Sequence, residues 1–201
     1  NTTVSDSNYS TMVAEATGQQ DGTIKIKKDC KAPIKVDQNK ISNVNYNSQL
    51  YGVYNNSSVI LDVTSNTFSF INGLSGTANV IYGENGNDFD VIGNNIVKCD
   101  FGSKNTGVGI MIYYNYVPNS QRSKDRVEDN ILDSNFAANE LYGIVTFYYG
   151  NYSINRNAIT RNYCASNGNS YFFGIYTYFL ETTQITSNLI ANNYCDWTNM
   201  A

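Results

Sequence analysis

The chain has 201 residues, of which 41% are hydrophobic and 15% charged, and its formal net charge is −4. This length supports one domain with a sizeable core, or a run of repeats from a longer protein. The sequence contains no histidine, which excludes Ser-His-Asp triads, HExxH zinc sites and histidine-ligated iron. The acidic balance and the lack of clustered lysine and arginine argue against nucleic acid as a partner. No apolar run approaches the roughly 20 residues of a membrane helix, so we expect no membrane span.

The residue bias predicts the fold class. Asparagine is the commonest residue, tyrosine occurs 17 times, glycine 15 times and proline twice. Asparagine, serine, threonine and glycine favour turns, whereas tyrosine, isoleucine, valine and threonine favour strands. The composition therefore predicts an all-β fold with many short strands. The cysteines are too far apart for a CxxC zinc or redox motif; they are Cys30, Cys99, Cys164 and Cys195.

The first part of the chain shows no repeat. We expect residues 1–21 to form an N-terminal arm or cap, and residues 22–201 to form the repeated domain. At the other end the sequence shows no cap after the last repeat. This predicts that the coil continues beyond residue 201 or is closed by another chain, because an open coil end exposes core and unpaired backbone.

A short motif recurs six times: an aliphatic residue, two mostly polar residues, asparagine, any residue and a bulky apolar residue. Its asparagines are Asn39, Asn66, Asn94, Asn130, Asn157 and Asn188, at separations of 27, 28, 36, 27 and 31 residues. Repeats of this length are typical of solenoids with one coil per repeat. The sequence therefore predicts about six coils, with loops that absorb the differences in length.

A second motif, aromatic and aliphatic, follows each of the first five asparagines. Its leading aliphatic residues are Val53, Val80, Ile110, Ile144 and Ile175. Alternation along a half-buried strand predicts that aromatic residues two positions earlier point inward. These residues are Tyr51, Tyr142 and Phe173.

The two apolar residues of the first motif lie five positions apart, which no straight strand places on one face. We expect a bend at the asparagine, because asparagine tolerates the left-handed backbone conformation. Asparagines stacked roughly 4.8 Å apart in successive coils can hydrogen-bond one another as a ladder. Five residues later, a second inward column changes from apolar residues to asparagine; it contains Val44, Ile71, Cys99, Asn135, Asn162 and Asn193.

The repeats N-Y-S-I-N-R-N-A-I-T-R-N from Asn151 and T-T-Q-I-T-S-N-L-I-A-N-N from Thr182 resemble those of right-handed parallel β-helix proteins. This superfamily includes pectin-lyase-like enzymes, NosD-like periplasmic proteins and phage tailspikes, and the resemblance covers about residues 22–195. It implies a single-stranded right-handed parallel β-helix with about six rungs of 27–36 residues. It also implies an extracellular, cell-surface or virion-surface location. The shared positions are structural, so the resemblance specifies the fold and not the function.

An outward column precedes the first aliphatic residue of each motif and holds Lys35, Asp62, Asp90, Arg126, Ser153 and Gln184. Asp62 and Asp90 should lie one strand spacing apart, which suits the carboxylate pair of a retaining glycosidase, with Arg126 binding an acidic sugar. In a pectate-lyase-like alternative the two carboxylates would bind Ca²⁺ and Arg126 would act as base. The other interpretation is a surface charge column without catalysis. Apart from this conditional Ca²⁺, the sequence predicts no metal or cofactor.

Aromatic residues form a further candidate site. Three residues after the leading aliphatic of the second motif, alternation predicts outward side chains. At this position Tyr113, Phe147 and Tyr178 should form an exposed stripe over three coils. Such a stripe suits stacking against sugar rings, and it equally suits the buried seam of a homotrimer.

Two of the cysteines should be neighbours in the folded chain. Cys164 and Cys195 each follow Asn-Tyr, seven residues after a motif asparagine, so they should stack on adjacent coils. That separation allows a disulfide, whereas a column of buried thiols is the more common outcome.

The leading hypothesis for function is a noncatalytic β-helical module of an exposed fibre, spike or surface protein. Its rigid face would bind a polysaccharide, a host-surface glycan or partner chains. The first alternative is a polysaccharide depolymerase, either a lyase or a glycoside hydrolase, that uses Asp62, Asp90 and Arg126. The second alternative is a purely structural assembly protein of a virion or cell envelope.

Overall fold

The computed structural model describes residues 12–15, 21–26, 34–46, 49–56, 60–73, 76–84, 88–102, 107–115, 124–147, 151–166, 170–178 and 182–197. The strands in chain order are β1 (Met12–Glu15), β2 (Asp21–Ile26), β3 (Ile34–Asp37), β4 (Lys40–Tyr46), β5 (Gln49–Asn56), β6 (Ile60–Thr64), β7 (Thr67–Gly73), β8 (Thr77–Glu84), β9 (Asp88–Ile92), β10 (Asn95–Val97), β11 (Val108–Asn115), β12 (Lys124–Glu128), β13 (Ile131–Asp133), β14 (Phe136–Ala137), β15 (Glu140–Phe147), β16 (Asn151–Asn155), β17 (Ala158–Thr160), β18 (Tyr163–Ser166), β19 (Tyr171–Tyr178), β20 (Thr182–Thr186), β21 (Leu189–Ala191) and β22 (Tyr194–Trp197). None of the described residues belongs to a helix long and apolar enough to cross a membrane.

The chain is an all-β parallel β-solenoid of about four turns with three main parallel sheets. Sheet A has the strand order β3-β6-β9-β12-β16-β20, and sheet C has the order β4-β7-β10-β13-β17-β21. Sheet B has the order β1-β2-β5-β8-β11-β15-β19, and a short fourth sheet contains β14, β18 and β22. The prediction of a parallel β-solenoid is confirmed, while its right-handed sense and its count of six rungs stay predictions.

The repeated motif determines which residues stack in the interior. The first aliphatic residue of each motif pairs with its counterpart in the next coil, as Val63 does with Val91 and Val127 with Ile154. Val63, Val91 and Ile154 are fully buried. Burying a branched side chain of this kind stabilises the fold by about 1.5–3 kcal/mol. The core is therefore a set of apolar columns that run along the solenoid.

Each repeat bends at two residues with left-handed backbone. The first bend lies one residue before the motif asparagine, at Gln38, Ser65, Gly93, Asp129, Arg156 and Ser187, with φ of 54° to 67°. The second lies at Asn43, Phe70, Lys98, Ser134, Arg161 and Asn192, with φ of 52° to 58°. The expectation that the motif asparagine itself takes the left-handed conformation is wrong. Its neighbour makes the bend, and the bend lets the asparagine side chain point into the interior beside the flanking apolar residues.

The motif asparagines form a hydrogen-bonded ladder inside the solenoid, as predicted. At a typical step, Asn130 Oδ1 accepts hydrogen bonds from the backbone N–H of Asn94 at 2.9 Å and from Asn94 Nδ2 at 3.1 Å. Asn130 Nδ2 donates to Val91 O at 2.8 Å and to Asn157 Oδ1 at 2.9 Å. The same pattern recurs at the other motif asparagines. Each buried amide thus provides partners for polar groups of the preceding coil, which would otherwise be costly to bury.

A second ladder occupies the other predicted inward column. Asn162 Oδ1 accepts from Asn135 N at 3.1 Å and from Asn135 Nδ2 at 3.0 Å, and Asn193 Oδ1 accepts from Asn162 N at 3.0 Å. At the start of this ladder, Asn135 Oδ1 accepts the backbone N–H of Cys99 at 3.1 Å. An earlier coil fills the position with Ile71, which is fully buried. The column accepts either an apolar side chain or an asparagine, as the sequence predicted.

Sheet B departs from simple alternation. Its strands pair Ile81 with Ile112, and Ile112 with Ile144, in one buried column. Val80 and Met111, which precede members of that column, are fully buried as well. Two consecutive side chains therefore point inward, and the strand must bend between them.

Two predictions for sheet B are wrong. The residues in register with Ile144 are Ile112 and Ile81, not Ile110 and Val80. The aromatic residues expected to point inward lie outside the core, because the bend shifts the alternation by one residue. They are Tyr51, Tyr142 and Phe173.

Burial differs between the first and last described coils. Val36 is fully buried, whereas Ile185, at the same motif position, is 47% exposed. Likewise Ile41 is 6% exposed and Ile190 is 49% exposed. Of the predicted N-terminal arm, residues 1–21, most lies outside the described residues; within it β1 pairs antiparallel with β2.

Candidate functional site

The outward face of sheet A carries the charged column predicted from the sequence. Asp62 pairs with Asp90 on the neighbouring strand, and Asp90 pairs with Arg126 on the next. Lys35 precedes these three residues and Ser153 follows them in the same register. The predicted adjacency of the two carboxylates is confirmed, and a catalytic role for the three residues stays a prediction.

Arg126 forms an ion pair with Asp90. Its Nε lies 3.1 Å and 3.0 Å from the two carboxylate oxygens of Asp90, and its Nη2 donates to Asp90 Oδ2. The backbone N–H of Arg126 donates to the same carboxylate at 3.2 Å. The hydrogen bonds to Asp90 raise the pKa of Arg126 above its usual range. The guanidinium would have to leave this pair in order to bind an acidic sugar or to act as a base.

Asp62 has different surroundings. Partial burial raises the pKa of the Asp62 carboxyl, the charge of Asp90 raises it further, and Arg126 and Lys35 oppose the change. The column thus places a carboxyl with a raised pKa beside a carboxylate that an arginine binds. In glycosidases, such a difference in surroundings lets one carboxyl act as the proton donor while the other carboxyl stays charged. Within the described ranges, no three side chains of His, Cys, Asp or Glu are grouped so that they could hold a metal ion.

Replacing Arg126 by glutamine is expected to change the free energy of unfolding by less than about 1 kcal/mol, because surface ion pairs contribute little. The Arg126 side chain is 49% exposed. The pKa of Asp62 should rise in the variant, since Arg126 is one of the charges that lower it. Urea unfolding and an NMR titration of the Asp62 carboxyl measure the two effects. A loss above about 2 kcal/mol would show that the pair behaves as a buried structural contact.

A buried carboxyl was not anticipated from the sequence. Asp125 lies on β12 and points into the solenoid, where it is 4% exposed. Its Oδ1 accepts the backbone N–H of Phe89 at 2.9 Å. Burial raises the pKa of Asp125 to about 8, with smaller contributions from the charges of Asp88 and Asp90. The sequence nevertheless indicated this position, because alternation along β12 predicts that Asp125, two residues before the inward-pointing Val127, also points inward.

The outer face of sheet B carries stacked aromatic rings. Tyr54, Tyr82 and Tyr113 occupy one register position on three neighbouring strands. The ring centroids of Tyr54 and Tyr82 lie 5.3 Å apart with planes at 9°, and those of Tyr82 and Tyr113 lie 4.7 Å apart at 3°. The ring faces therefore cover one another along the solenoid axis, and the ring edges line the outer surface.

The predicted stripe of Tyr113, Phe147 and Tyr178 is present with a shift in register. Phe147 pairs with Tyr178, whereas Tyr113 pairs with Val145, two residues earlier on the same strand. The rings nevertheless contact each other: the centroids of Tyr113 and Phe147 are 5.7 Å apart, and those of Phe147 and Tyr178 are 5.9 Å apart. Sequence reasoning missed the two tyrosines that extend this stripe. We name the five rings the aromatic face: Tyr54, Tyr82, Tyr113, Phe147 and Tyr178.

Tyrosine hydroxyls on this side of sheet B are held by carboxylates. Tyr82 OH donates to Glu84 Oε2 at 3.1 Å, and Tyr142 OH donates to Glu140 Oε2 at 2.9 Å. Partial burial and the adjacent glutamates raise the pKa of both hydroxyls far above the usual value. The hydroxyls therefore stay protonated at neutral pH, and the surroundings of the aromatic face are acidic.

No family model, curated protein or solved structure matches this chain. The resemblance to pectin-lyase-like β-helix proteins therefore depends on the repeated motif, which assigns no activity. The arguments for function come from two outer surfaces, namely the charged column of sheet A and the aromatic face of sheet B.

Proposed function

We propose that the chain is a rigid, noncatalytic β-helical module of an exposed fibre, spike or surface protein, and that its aromatic face binds a polysaccharide. The observation that carries this proposal is the series of ring contacts from Tyr54 to Tyr178, with neighbouring centroids 4.7–5.9 Å apart. Rings that recur from coil to coil offer similar contacts to a polymer with a repeating unit. Tyrosine suits this role because its ring is apolar and its hydroxyl is polar.

The charges near the aromatic face favour a neutral polysaccharide or neutral host-surface glycan. Glu84 and Glu140 bind tyrosine hydroxyls on this side of sheet B, and the chain has a net charge of −4. An acidic glycan would be repelled at short range. The asparagine ladders hold the strands in register, so the face loses little conformational freedom when a ligand binds.

Glycan-array binding by Tyr82→Ala and Tyr113→Ala variants tests this proposal. Removal of either ring is expected to weaken binding about tenfold or more, because central aromatic contacts dominate such interfaces. Tyr163→Ala is the matched control, since Tyr163 stacks on Tyr194 at 5.4 Å in the short fourth sheet. Removal of the Tyr163 ring should leave glycan binding unchanged. Binding that survives both face variants, or no binding to any neutral glycan, contradicts the proposal.

A second candidate function is assembly, with the aromatic face as the seam of a homotrimer. The mutual stacking of the ring faces favours it, because ring edges pack well against another protein surface. Tyr178, at one end of the face, is 43% exposed. Light scattering separates the two candidates: a trimer whose mass does not change on dilution supports the seam, and a stable monomer rejects it.

The charged column supports a third candidate, a polysaccharide depolymerase of the lyase or hydrolase type. The observation in its favour is that Asp62 lies next to the ion pair of Asp90 and Arg126, where burial raises the pKa of the Asp62 carboxyl. A Ca²⁺-dependent lyase would instead use the two carboxylates as ligands. Polysaccharide cleavage that is lost in Asp62→Asn, with the circular dichroism spectrum unchanged, would establish an enzyme. No cleavage of neutral or acidic glycans, with or without Ca²⁺, rejects it.

The finer architecture and the location form part of the same proposal. We infer a right-handed sense, because crossover connections between parallel strands of one sheet are right-handed in nearly all proteins. About six rungs would match the six motif asparagines. An extracellular, cell-surface or virion-surface location suits a rigid module that binds glycans. A chain that binds no glycan but associates with other chains would instead be a purely structural assembly protein.

A further inference from the structure

Two cysteines occupy equivalent positions in the last two described coils. Cys164 on β18 pairs with Cys195 on β22, in a register continued by the flanking tyrosines, Tyr163 and Tyr194. Neighbouring parallel strands lie roughly 4.8 Å apart, which is within the Cα separation of about 4.4–6.8 Å that a disulfide spans. The pairing therefore brings the two cysteines within disulfide range without rearrangement of the backbone.

The second asparagine ladder holds these cysteines in register. Asn162 and Asn193 each lie two residues before one of them. Asn193 Oδ1 accepts from Asn162 N at 3.0 Å and from Asn162 Nδ2 at 2.9 Å. A slip of one residue between the two strands would break both hydrogen bonds. The relative position of the cysteines is therefore maintained by contacts that do not involve sulfur.

The two side chains meet on the same side of the short fourth sheet. Both cysteines are free thiols, Cys164 buried and Cys195 half-buried, and each thiol lies close enough to shift the pKa of the other. Cys164 Sγ also donates to Asn139 O at 2.9 Å. Cys99 has a different setting, because it lies in the second inward column, where its backbone N–H donates to Asn135. Cys30 lies outside the described residues.

We propose that Cys164 and Cys195 are a redox pair that closes to a disulfide and ties the last described coil to the preceding one. With glutathione disulfide as oxidant, the more accessible Cys195 thiolate attacks the oxidant and releases one glutathione thiolate. The Cys164 thiolate then attacks Sγ of Cys195 in the mixed disulfide and releases the second. The protein loses two protons and two electrons, and one glutathione disulfide becomes two glutathione molecules. This proposal is independent of the ligand of the aromatic face.

The reaction should be faster in mild alkali. Burial raises the pKa of Cys164 to about 12 and also raises that of Cys195, so few thiolates exist at neutral pH. The bond would join two residues that lie 31 positions apart in the sequence, Cys164 and Cys195. Closing a loop of this size constrains the unfolded chain and should raise the melting temperature by about 5–10 °C. The benefit falls on the coil in which Leu189 and Ile190 are 56% and 49% exposed.

Incubation of the reduced chain with glutathione disulfide at about pH 8.5 tests the proposal. Non-reducing peptide mapping should show a Cys164–Cys195 crosslink with the mass of two hydrogens lost, and the melting temperature should rise until dithiothreitol is added. Cys195→Ser should abolish the crosslink and the rise, whereas Cys99→Ser should retain both. A persistent glutathione adduct on Cys195, a dominant crosslink to another cysteine, or no crosslink in a chain that alkylation shows to be accessible at Cys195 would each overturn the proposal.

Discussion

Replacing Asn130 by alanine is expected to lower the free energy of unfolding by about 3–6 kcal/mol, a large share of the stability of an ordinary domain. The fully buried Asn130 side chain hydrogen-bonds to both neighbouring ladder asparagines and to Val91 O. Alanine leaves donors on Asn94 and the acceptor on Val91 buried without partners. Each such group costs about 1–3 kcal/mol. Urea unfolding followed by circular dichroism measures the loss.

The matched control for this prediction is Asn45→Ala. Asn45 is exposed and accepts a hydrogen bond from Asn72 Nδ2 at 3.4 Å, so its loss should change stability by less than about 0.5 kcal/mol. Asn130→Asp separates hydrogen bonding from packing, since aspartate keeps the volume but cannot donate to Val91 O or Asn157 Oδ1. The prediction is contradicted if Asn130→Ala and Asn45→Ala lower the free energy of unfolding equally, or if Asn130→Asp does not lower it. Either result would show that the hydrogen bonds of the ladder add nothing to the packing of its side chains.

The ladder was predictable because two apolar residues five positions apart require a bend, and the asparagine between them must then turn inward. The residue that makes the bend was not predictable. The position before the asparagine holds Gln38, Ser65 and Arg156 as well as Gly93 and Asp129. Only glycine and aspartate in that set favour a left-handed backbone by themselves. At the other positions the hydrogen bonds between coils impose the conformation, and residue type carries no signal of it.

The candidate site was predictable to a similar extent. Register follows from the motif, so the sequence correctly predicted that Asp62 and Asp90 would be neighbours. Which carboxylate Arg126 binds depends on side-chain rotamers and on the desolvation of each carboxyl, and a repeat pattern encodes neither. In sheet B the position before the inward isoleucine holds glycine in β15 and β19 but Met111 in β11, so residue type does not mark the bend in every coil. Counting from Ile110 instead of Ile112 placed Tyr113 in the register of Phe147. The prediction also missed Tyr54 and Tyr82, which share the register of Tyr113.

A second large effect is expected at Asp125, where substitution by asparagine should stabilise the protein at neutral and alkaline pH. The pKa of the buried Asp125 carboxyl is raised from 3.8 to about 8, mainly by desolvation. Since one pKa unit is worth about 1.4 kcal/mol, stability should fall by about 5 kcal/mol across this interval. Asparagine carries no charge and can still accept the N–H of Phe89. The variant should therefore lose most of this dependence on pH.

The direction of the pH effect follows from which state holds the proton. Between about pH 4 and pH 8 the folded protein keeps Asp125 protonated, whereas the unfolded chain has released the proton. Stability therefore falls as the pH rises through this window. Below about pH 4 the trend reverses, because hydrogen bonds from Thr64 and Arg156 lower the pKa values of Asp37 and Asp129. The reverse trend should be weak, since solvent screens these exposed groups.

Urea unfolding at about pH 4, 6 and 8 measures the effect in the unmodified chain, Asp125→Asn and Asp129→Asn. The unmodified chain should lose stability from pH 4 to pH 8. Asp125→Asn should lose much less, and its remaining loss comes from groups such as Asp62, whose pKa is also raised. Asp129→Asn should follow the unmodified chain, because Asp129 is exposed and paired with Arg156. A carbon-13 NMR titration of the Asp125 carboxyl locates its pKa directly. A loss of stability in Asp125→Asn at pH 8 would mean that the fold requires a carboxylate at this position.

The position of Asp125 explains why its protonation matters so much. In neighbouring coils the same inward position holds Leu61, Phe89 and Tyr152, so the interior there is apolar and aromatic. A neutral acid with one hydrogen bond from Phe89 N–H is tolerated in such surroundings. A carboxylate is not, because none of the described residues sets a cation beside it to offset its desolvation. If the carboxyl ionises, the loss of stability should therefore begin in the coil that contains β12. Hydrogen exchange at pH 8 should then show earlier opening of β12 and β9 in the unmodified chain than in Asp125→Asn.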